Sequence, residues 1–422
     1  MDSPRAAKRW PEERQLAFIN AHASRLVASG IGLDPSNYDT LQPTQVQLQH
    51  RPGAGISALY ALRDGSGHIG LTTEELPAPA PDSDGTLPYT QLHVPGYEVA
   101  PQGFDELVVS VWRHPRDPKL PGLAAAAVPE RAEVAFGAGD RLTHLETVAY
   151  RPLRRAVLRA TFAQTEPELT ERAIYLKVMR PDLADELVER SRLLAGAGLP
   201  VPDVLAHQED GVAAFRELSG ASLSRLIMHD GGTSLDPAEL VALLDKMPAA
   251  VLDLPHRPAW ADRVDRYASA ARTALPEAAY RIDELERGVR DALDAADRGP
   301  LVPTHGDFYE ANLLMDENRL VGLLDVDNVG PGRRADDLAC LLGHVAVLPA
   351  VDPRYVHINE ALDHFGSVFE RGCDPRALWG SAAGVGVSLI AGARVPGQVD
   401  EWVPAAMGRL EAAERLLARV PG

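Results

Sequence analysis

The sequence predicts an α+β protein in which a β-rich section is followed by a larger helical one, with a further α/β section ahead of both. Three observations predict it. Residues 142–179 hold three strand patterns and lead into a helix. Residues 236–298 and 355–420 carry apolar side chains at helical spacing. An apolar run at 320–324 ends on an aspartate, as a buried strand does when it delivers a carboxylate to its tip. The 422 residues are enough for two or three domains with proper cores. The expected sections are 1–128, 129–218 and 219–422.

In the first section, residues 45–50, 56–62, 68–72 and 107–113 read as strands, with a Pro/Asp-rich linker at 77–88. His50-Arg51-Pro52-Gly53 echoes Tyr150-Arg151-Pro152-Leu153, and His68–Thr72 falls where Ile174–Lys177 falls in the second copy. Either the small sheet is duplicated in degenerate form, with Thr72 in the place of the lysine, or two short hairpins agree by chance.

In the second section, strands 142–150 and 156–162 flank the turn Arg151-Pro152-Leu153-Arg154-Arg155, and 173–179 is a third strand. Pro181-Asp182 opens an amphipathic helix through Leu194, with Leu183, Leu187 and Leu194 on its core side and Gly196 and Gly198 ending it. Residues 212–215 form a strand leading into Arg216-Glu217-Leu218-Ser219-Gly220. The third section is helical apart from its central loops, and the small-residue run 380–397 is expected to interrupt its last helical stretch.

Composition narrows the function. No apolar run is long enough to cross a bilayer, and Met1-Asp2-Ser3-Pro4-Arg5 opens no secretion signal. Two cysteines, Cys340 and Cys373, are too few for a disulfide framework or zinc cage, so a reduced, cytoplasmic protein is expected. A net charge of −18 argues against nucleic acid and anionic membrane as partners. It either favours a cationic substrate or serves only solubility. The four lysines are Lys8, Lys119, Lys177 and Lys246, while arginine is abundant. In such a chain, a lysine inside an apolar strand, as Lys177 is, marks a site that wants a compact point charge.

The chemistry is carried by His305-Gly306-Asp307, then Asn312, then Leu323-Leu324-Asp325-Val326-Asp327. This order suits phosphoryl transfer from a metal-bound nucleotide. Such a transfer needs a carboxylate to orient the attacking hydroxyl, hard oxygen ligands for Mg²⁺, and cations around the phosphates. Asp307 can supply the first, and Asn312 and Asp325 the second.

Together with Asp336-Asp337-Leu338-Ala339, these motifs resemble the aminoglycoside phosphotransferase family, which includes small-molecule kinases such as choline and maltose kinases. The resemblance covers roughly residues 130 to 345. It implies a protein-kinase-like two-lobed fold, with a small β-rich N-lobe and a large helical C-lobe. Ahead of it stands an extra N-terminal cap domain, similar in position and length to that of maltokinase-like enzymes.

The resemblance also implies roles. Asp307 is the catalytic carboxylate, Asn312 and Asp325 are the metal ligands, and Asp337 braces the catalytic loop. Lys177 contacts the nucleotide phosphates, with Glu186 or Glu189 as its partner. The backbone at Glu217 and Leu218 bonds adenine. His305 holds the turn. Asp327 either positions water on the metal or braces its loop, and Glu310 lies beside the site without a required role. One departure stands out: the turn that covers the phosphates in kinases has no glycine here. Arg151, Arg154 and Arg155 either cap the triphosphate by charge or form a solvated basic tip.

Two rivals weaken on inspection. Asp325-Val326-Asp327 mimics the nucleophile motif of haloacid dehalogenase-like phosphatases, but no lysine follows Lys246 to complete that site. A silent nucleotide-binding module would show losses at Lys177, Asp307, Asn312 or Asp325, and all four are present. The expected function is therefore an ATP- and Mg²⁺-dependent phosphotransferase acting on a hydroxyl of an aminoglycoside or other sugar-like small molecule. The alternative is a metabolic sugar kinase of the maltokinase-like type, whose members often carry Gln where this chain has Asn312.

Overall fold

The computed structural model describes residues 9–34, 41–51, 54–63, 65, 67–81, 85–94, 106–163, 171–393 and 402–422. They fall into two compact units. One is the chain up to Asp185 with Leu205–Phe215; the other is Glu186–Val204 with Arg216–Gly422.

The first unit opens with helix α1, Glu12–Gly30, whose first turn carries Glu12 and Glu13, favourable to the helix dipole. Its Phe18, Ile19, Leu26 and Val27 join a core with Ile56, Ala58, Tyr60, Ile69, Leu71, Val109 and Val111 from a five-stranded sheet. The strands are β1 Thr44–Arg51, β2 Gly55–Ala61, β3 His68–Thr72, β4 Thr90–His93 and β5 Val108–Arg113, in the order β1-β2-β3-β5-β4. The sequence reading did not foresee β4. It is a four-residue edge strand with no β-branched run, following a proline-rich stretch, and only pairing with β5 defines it.

Two short helices follow, α2 Leu123–Ala126 and α3 Pro129–Phe136, and then a second five-stranded sheet. Its members are β6 Arg141–Arg151, β7 Arg155–Ala163, β8 Glu171–Met179, β9 Val204–His207 and β10 Val212–Arg216, with helix α4, Pro181–Gly196, between β8 and β9. The order β6-β7-β8-β10-β9 repeats that of the first sheet. The registers repeat too. Arg51 pairs with Gly55 and Ser57 with Thr72; Arg151 pairs with Arg155 and Val157 with Lys177. Thr72 therefore occupies the strand position of Lys177.

On this second sheet Leu158, Ala160, Phe162, Ile174, Leu176 and Val178 pack against Leu120, Leu123 and Phe136. Side chains alternate across a strand, so Tyr175 and Lys177 take the opposite, half-buried face.

The second unit is mostly helical. Besides most of α4 it holds the two-residue strand β11, Ala221–Ser222, and α5, Leu223–Asp230, capped by the Ser222 hydroxyl. Then come α6 Pro237–Asp245, α7 Val264–Ala274 and α8 Ala279–Ala295. Short strands β12 Val302–Thr304, β13 Leu313–Asp316, β14 Arg319–Leu323 and β15 Gly330–Gly332 carry the loops of interest. The chain closes with α9 Arg334–Val351, α10 Ile358–Phe369, α11 Pro375–Ile390 and α12 Val403–Leu417.

Helix α11 corrects one expectation. The small-residue run does not break it at Gly380. A Cβ on Gly384 would lie 2.7 Å from the Ala261 Cβ, and one on Gly386 would lie 2.8 Å from the Ala413 Cβ. The glycines are points of close helix contact, worth more here than their low helix propensity costs. Residues 394–397 of that run lie outside the described residues. Among the described residues no helix is long and apolar enough to cross a membrane.

Candidate active site

Strand pairing assembles the central loops. Thr304 of β12 pairs with Gly330 of β15, and its hydroxyl donates to the Gly330 carbonyl at 2.8 Å. The loop after β12 and the loop before β15 are thereby neighbours. Asp337, in the first turn of α9, accepts the amides of His305 and Gly306, each at 2.8 Å. Burial pushes its carboxyl up to about 7, and the two amide bonds pull the other way. Gly306 has φ 78°, and a Cβ there would meet the Asn328 carbonyl at 2.6 Å, so only glycine fits the turn.

His305 is fully buried, and burial lowers its pKa while the Asp325 charge pulls the other way. Its Nε2 lies 3.0 Å from the Leu324 carbonyl, which can only accept, so Nε2 carries the proton. That contact joins the loop after β12 to the end of the segment that carries Asp325.

Asn312 is the junction of the two loops. Its side-chain nitrogen Nδ2 donates to the Asp307 main-chain carbonyl at 2.9 Å, and its main-chain carbonyl accepts the Leu324 amide at 2.8 Å. Because the Asp307 carbonyl is an acceptor only, the Nδ2 assignment is forced and the amide oxygen points the other way. Asp307, Asn312 and Asp325 thus belong to one hydrogen-bonded loop pair. Asp325 adopts φ 57°, ψ 56°, the left-handed region, at the start of a single 3₁₀ turn, Val326–Asn328, that contains Asp327. Such a conformation costs an aspartate about 1 kcal/mol and persists where surrounding contacts hold it.

Two residues here were not assigned roles from sequence. Glu310 is buried, its Oε2 has no hydrogen-bond partner, and burial pushes its carboxyl up to about 7, with the Asp307 charge adding. Arg190 of α4, 2% exposed, donates from Nε to the Val329 carbonyl at 3.0 Å and pairs with Glu186 at 3.0 Å. Its only sequence signal is the i, i+4 spacing from Glu186. Glu186 also lies 3.6 Å from Arg257, whereas Glu189 is exposed.

In the first unit Lys177 sits on the half-buried face of β8. On the β6–β7 turn, Arg154 donates to Glu74 at 2.7 Å, and Arg155 opens β7. Glu217 and Leu218, both half-buried, follow directly on β10.

The model of the phosphotransferase enzyme family matches residues 150–369. A thermostable mutant of the aminoglycoside phosphotransferase APH(4)-Ia in its apo form is 15% identical with a TM-score of 0.50, over 69% of this chain and 98% of that one. A further mutant of that enzyme, in ternary complex with AMP-PNP and hygromycin B, is 14% identical with a TM-score of 0.50, over 71% of this chain and 100% of that one. A choline/ethanolamine kinase family protein from Mesorhizobium loti is 22% identical with a TM-score of 0.45, over 70% and 96% of the two chains. No curated protein matches significantly. The structural likeness shows a protein-kinase-like fold of the aminoglycoside phosphotransferase type, preceded here by an additional helix-and-sheet section. With its family model spanning more than half of its length, the chain belongs to the phosphotransferase enzyme family and is a small-molecule phosphotransferase.

Proposed function

We propose that the protein transfers the γ-phosphoryl group of ATP to a hydroxyl of a small sugar-like molecule, with aminoglycosides the first acceptor class to test. One observation carries the reading: Asn312 ties the Asp307 carbonyl to the segment that ends in Asp325. A carboxylate for the acceptor hydroxyl and two oxygen donors for a cation are thereby held in a fixed relation. The crystallisation of the aminoglycoside phosphotransferase with AMP-PNP and hygromycin B supports an adenine nucleotide donor and a sugar-like acceptor.

The residues fit Mg²⁺. Their donors are hard oxygens, the carboxylate of Asp325 and the Asn312 amide oxygen that its Nδ2 bond turns away from Asp307. When bound there, the ion supplies charge neutralisation at the phosphate oxygens. Asp307 accepts a hydrogen bond from the acceptor hydroxyl and aligns it with the γ-phosphorus. Lys177 and Arg155 place positive charge at the phosphates, and the backbone of Glu217 and Leu218 bonds adenine. Asp337 and His305 keep the loop in shape, and Asp327 supports the loop that carries Asp325. Positioning supplies much of the rate because the transition state is loose. We place the reaction in the cytoplasm, where the nucleotide is available.

A metabolic sugar kinase is the second reading. The extra N-terminal section favours it, being similar in position and length to the cap of maltokinase-like enzymes. ADP release with Mg²⁺-ATP across aminoglycosides, amino sugars, neutral hexoses, disaccharides and choline separates the two. Stimulation by aminoglycosides supports the first, stimulation by neutral sugars alone supports the second, and absence of nucleotide turnover with every acceptor argues against both.

A further inference from the structure

The turn between β6 and β7 is held by the N-terminal section. Leu153, third in the turn, has φ 62°, a conformation normally taken there by glycine or asparagine. Its side chain is 1% exposed and clusters with Leu76, Tyr89 and Trp112. Its amide donates to Asp117 Oδ2 at 2.8 Å, and the Tyr150 hydroxyl donates to the same oxygen at 2.8 Å. Trp112 Nε1 in turn donates to the Tyr150 hydroxyl at 3.2 Å. On the other side, Arg154 donates to one oxygen of Glu74 at 2.7 Å, and Lys119 donates to the second at 2.8 Å.

The Glu74 side chain is 5% exposed. A carboxylate buried to that degree is stable only while its cations stay in place. Asp117 is equally enclosed, at 3% exposure. The turn therefore keeps a left-handed leucine because buried contacts from outside the hairpin over-determine it. A glycine-rich turn is free to move and must order on its ligand. This one is ordered in advance, so that entropic cost does not fall on ligand binding.

We propose that the N-terminal section clamps this turn and that Glu74 and Asp117 are positioning residues for the phosphates of the nucleotide donor. The inference rests on the proposed use of ATP. Arg154 serves as the anchor of the turn rather than as a phosphate contact.

The test is calorimetric titration of the full chain with ATP, ADP, AMP and adenosine in Mg²⁺, beside amide exchange over residues 150–155. Unaltered protein, Glu74→Gln and Asp117→Asn are compared. The expected result is a loss of about tenfold in ATP affinity in each variant, with adenosine affinity unchanged and turn exchange accelerated. Should Glu74→Gln fail to fold, Leu153→Gly frees the turn while leaving both carboxylates, and the same selective loss is expected. Equal losses for ATP and adenosine, or unchanged ATP affinity with faster turn exchange, would overturn the clamp alone. Absence of ATP binding by the unaltered protein would overturn the clamp together with the reading beneath it.

Discussion

The side-chain amide of Asn312 donates to the main-chain carbonyl of Asp307 across 2.9 Å. One residue thus serves two loops, because the main-chain carbonyl of Asn312 also accepts the amide of Leu324, next to Asp325. Asn312→Ala removes the side-chain bond and the amide oxygen together. The expected outcome is a fall in kcat of about 100-fold or more, with a stability loss of only about 1 kcal/mol. Steady-state kinetics and a denaturant melt of the same sample check both numbers.

Asp337 satisfies two amides at once, and an asparagine cannot. Asp337→Asn leaves one acceptor oxygen for the amides of His305 and Gly306 and turns an NH₂ toward the second. In so buried a place this is expected to cost about 2–4 kcal/mol and most of the activity. A chemical melt at neutral pH measures it.

Acid stability follows from two histidines. Burial, with Arg409 adding, holds His344 down to about 4; burial, with His68 adding, holds His114 at about 4. Each folded ring stays neutral where an unfolded one gains a proton near its ordinary 6.5. Between those values the unfolded chain binds more protons, so stability present above pH 6.5 is lost as pH falls toward 4. His344→Phe keeps a ring stacked on Tyr309, whose centroid lies 4.1 Å away. It is expected to remove up to about 3 kcal/mol of that pH dependence. Melts at pH 7 and pH 4.5 on variant and parent compare the slopes.

The close contact of α11 gives a packing test. Gly384→Val sets new atoms against Ala261, whose Cβ is 2.7 Å and Cα 2.9 Å from the first added carbon. Overpacking of about 1–3 kcal/mol outweighs the gain in helix propensity. A thermal melt with a lowered midpoint is the expected outcome.

How much of this was legible in the sequence varies with the range of the interactions. The central motif was legible because its chemistry needs particular residue types in a fixed order within a short stretch, from His305 to Asp327. Most strands of both sheets were legible from alternation, but the four-residue edge strands β4 and β9 were not, since pairing with β5 and β10 creates them. The clamp was illegible for the same reason: Glu74 and Arg154 are 80 positions apart. One signal was available. Lysine is so scarce that Lys119 stands out as Lys177 does, and it is spent on the buried Glu74. In α11 the small residues read as a break because composition does not show which neighbour a glycine must admit.

The most direct test of the account is Asp307→Asn, with ATP affinity and turnover measured on one preparation with the best acceptor. The account predicts ATP affinity within about twofold of the parent and kcat lower by about 10³-fold, since the lost group acts on the acceptor hydroxyl and not on the nucleotide. An unchanged kcat would contradict it.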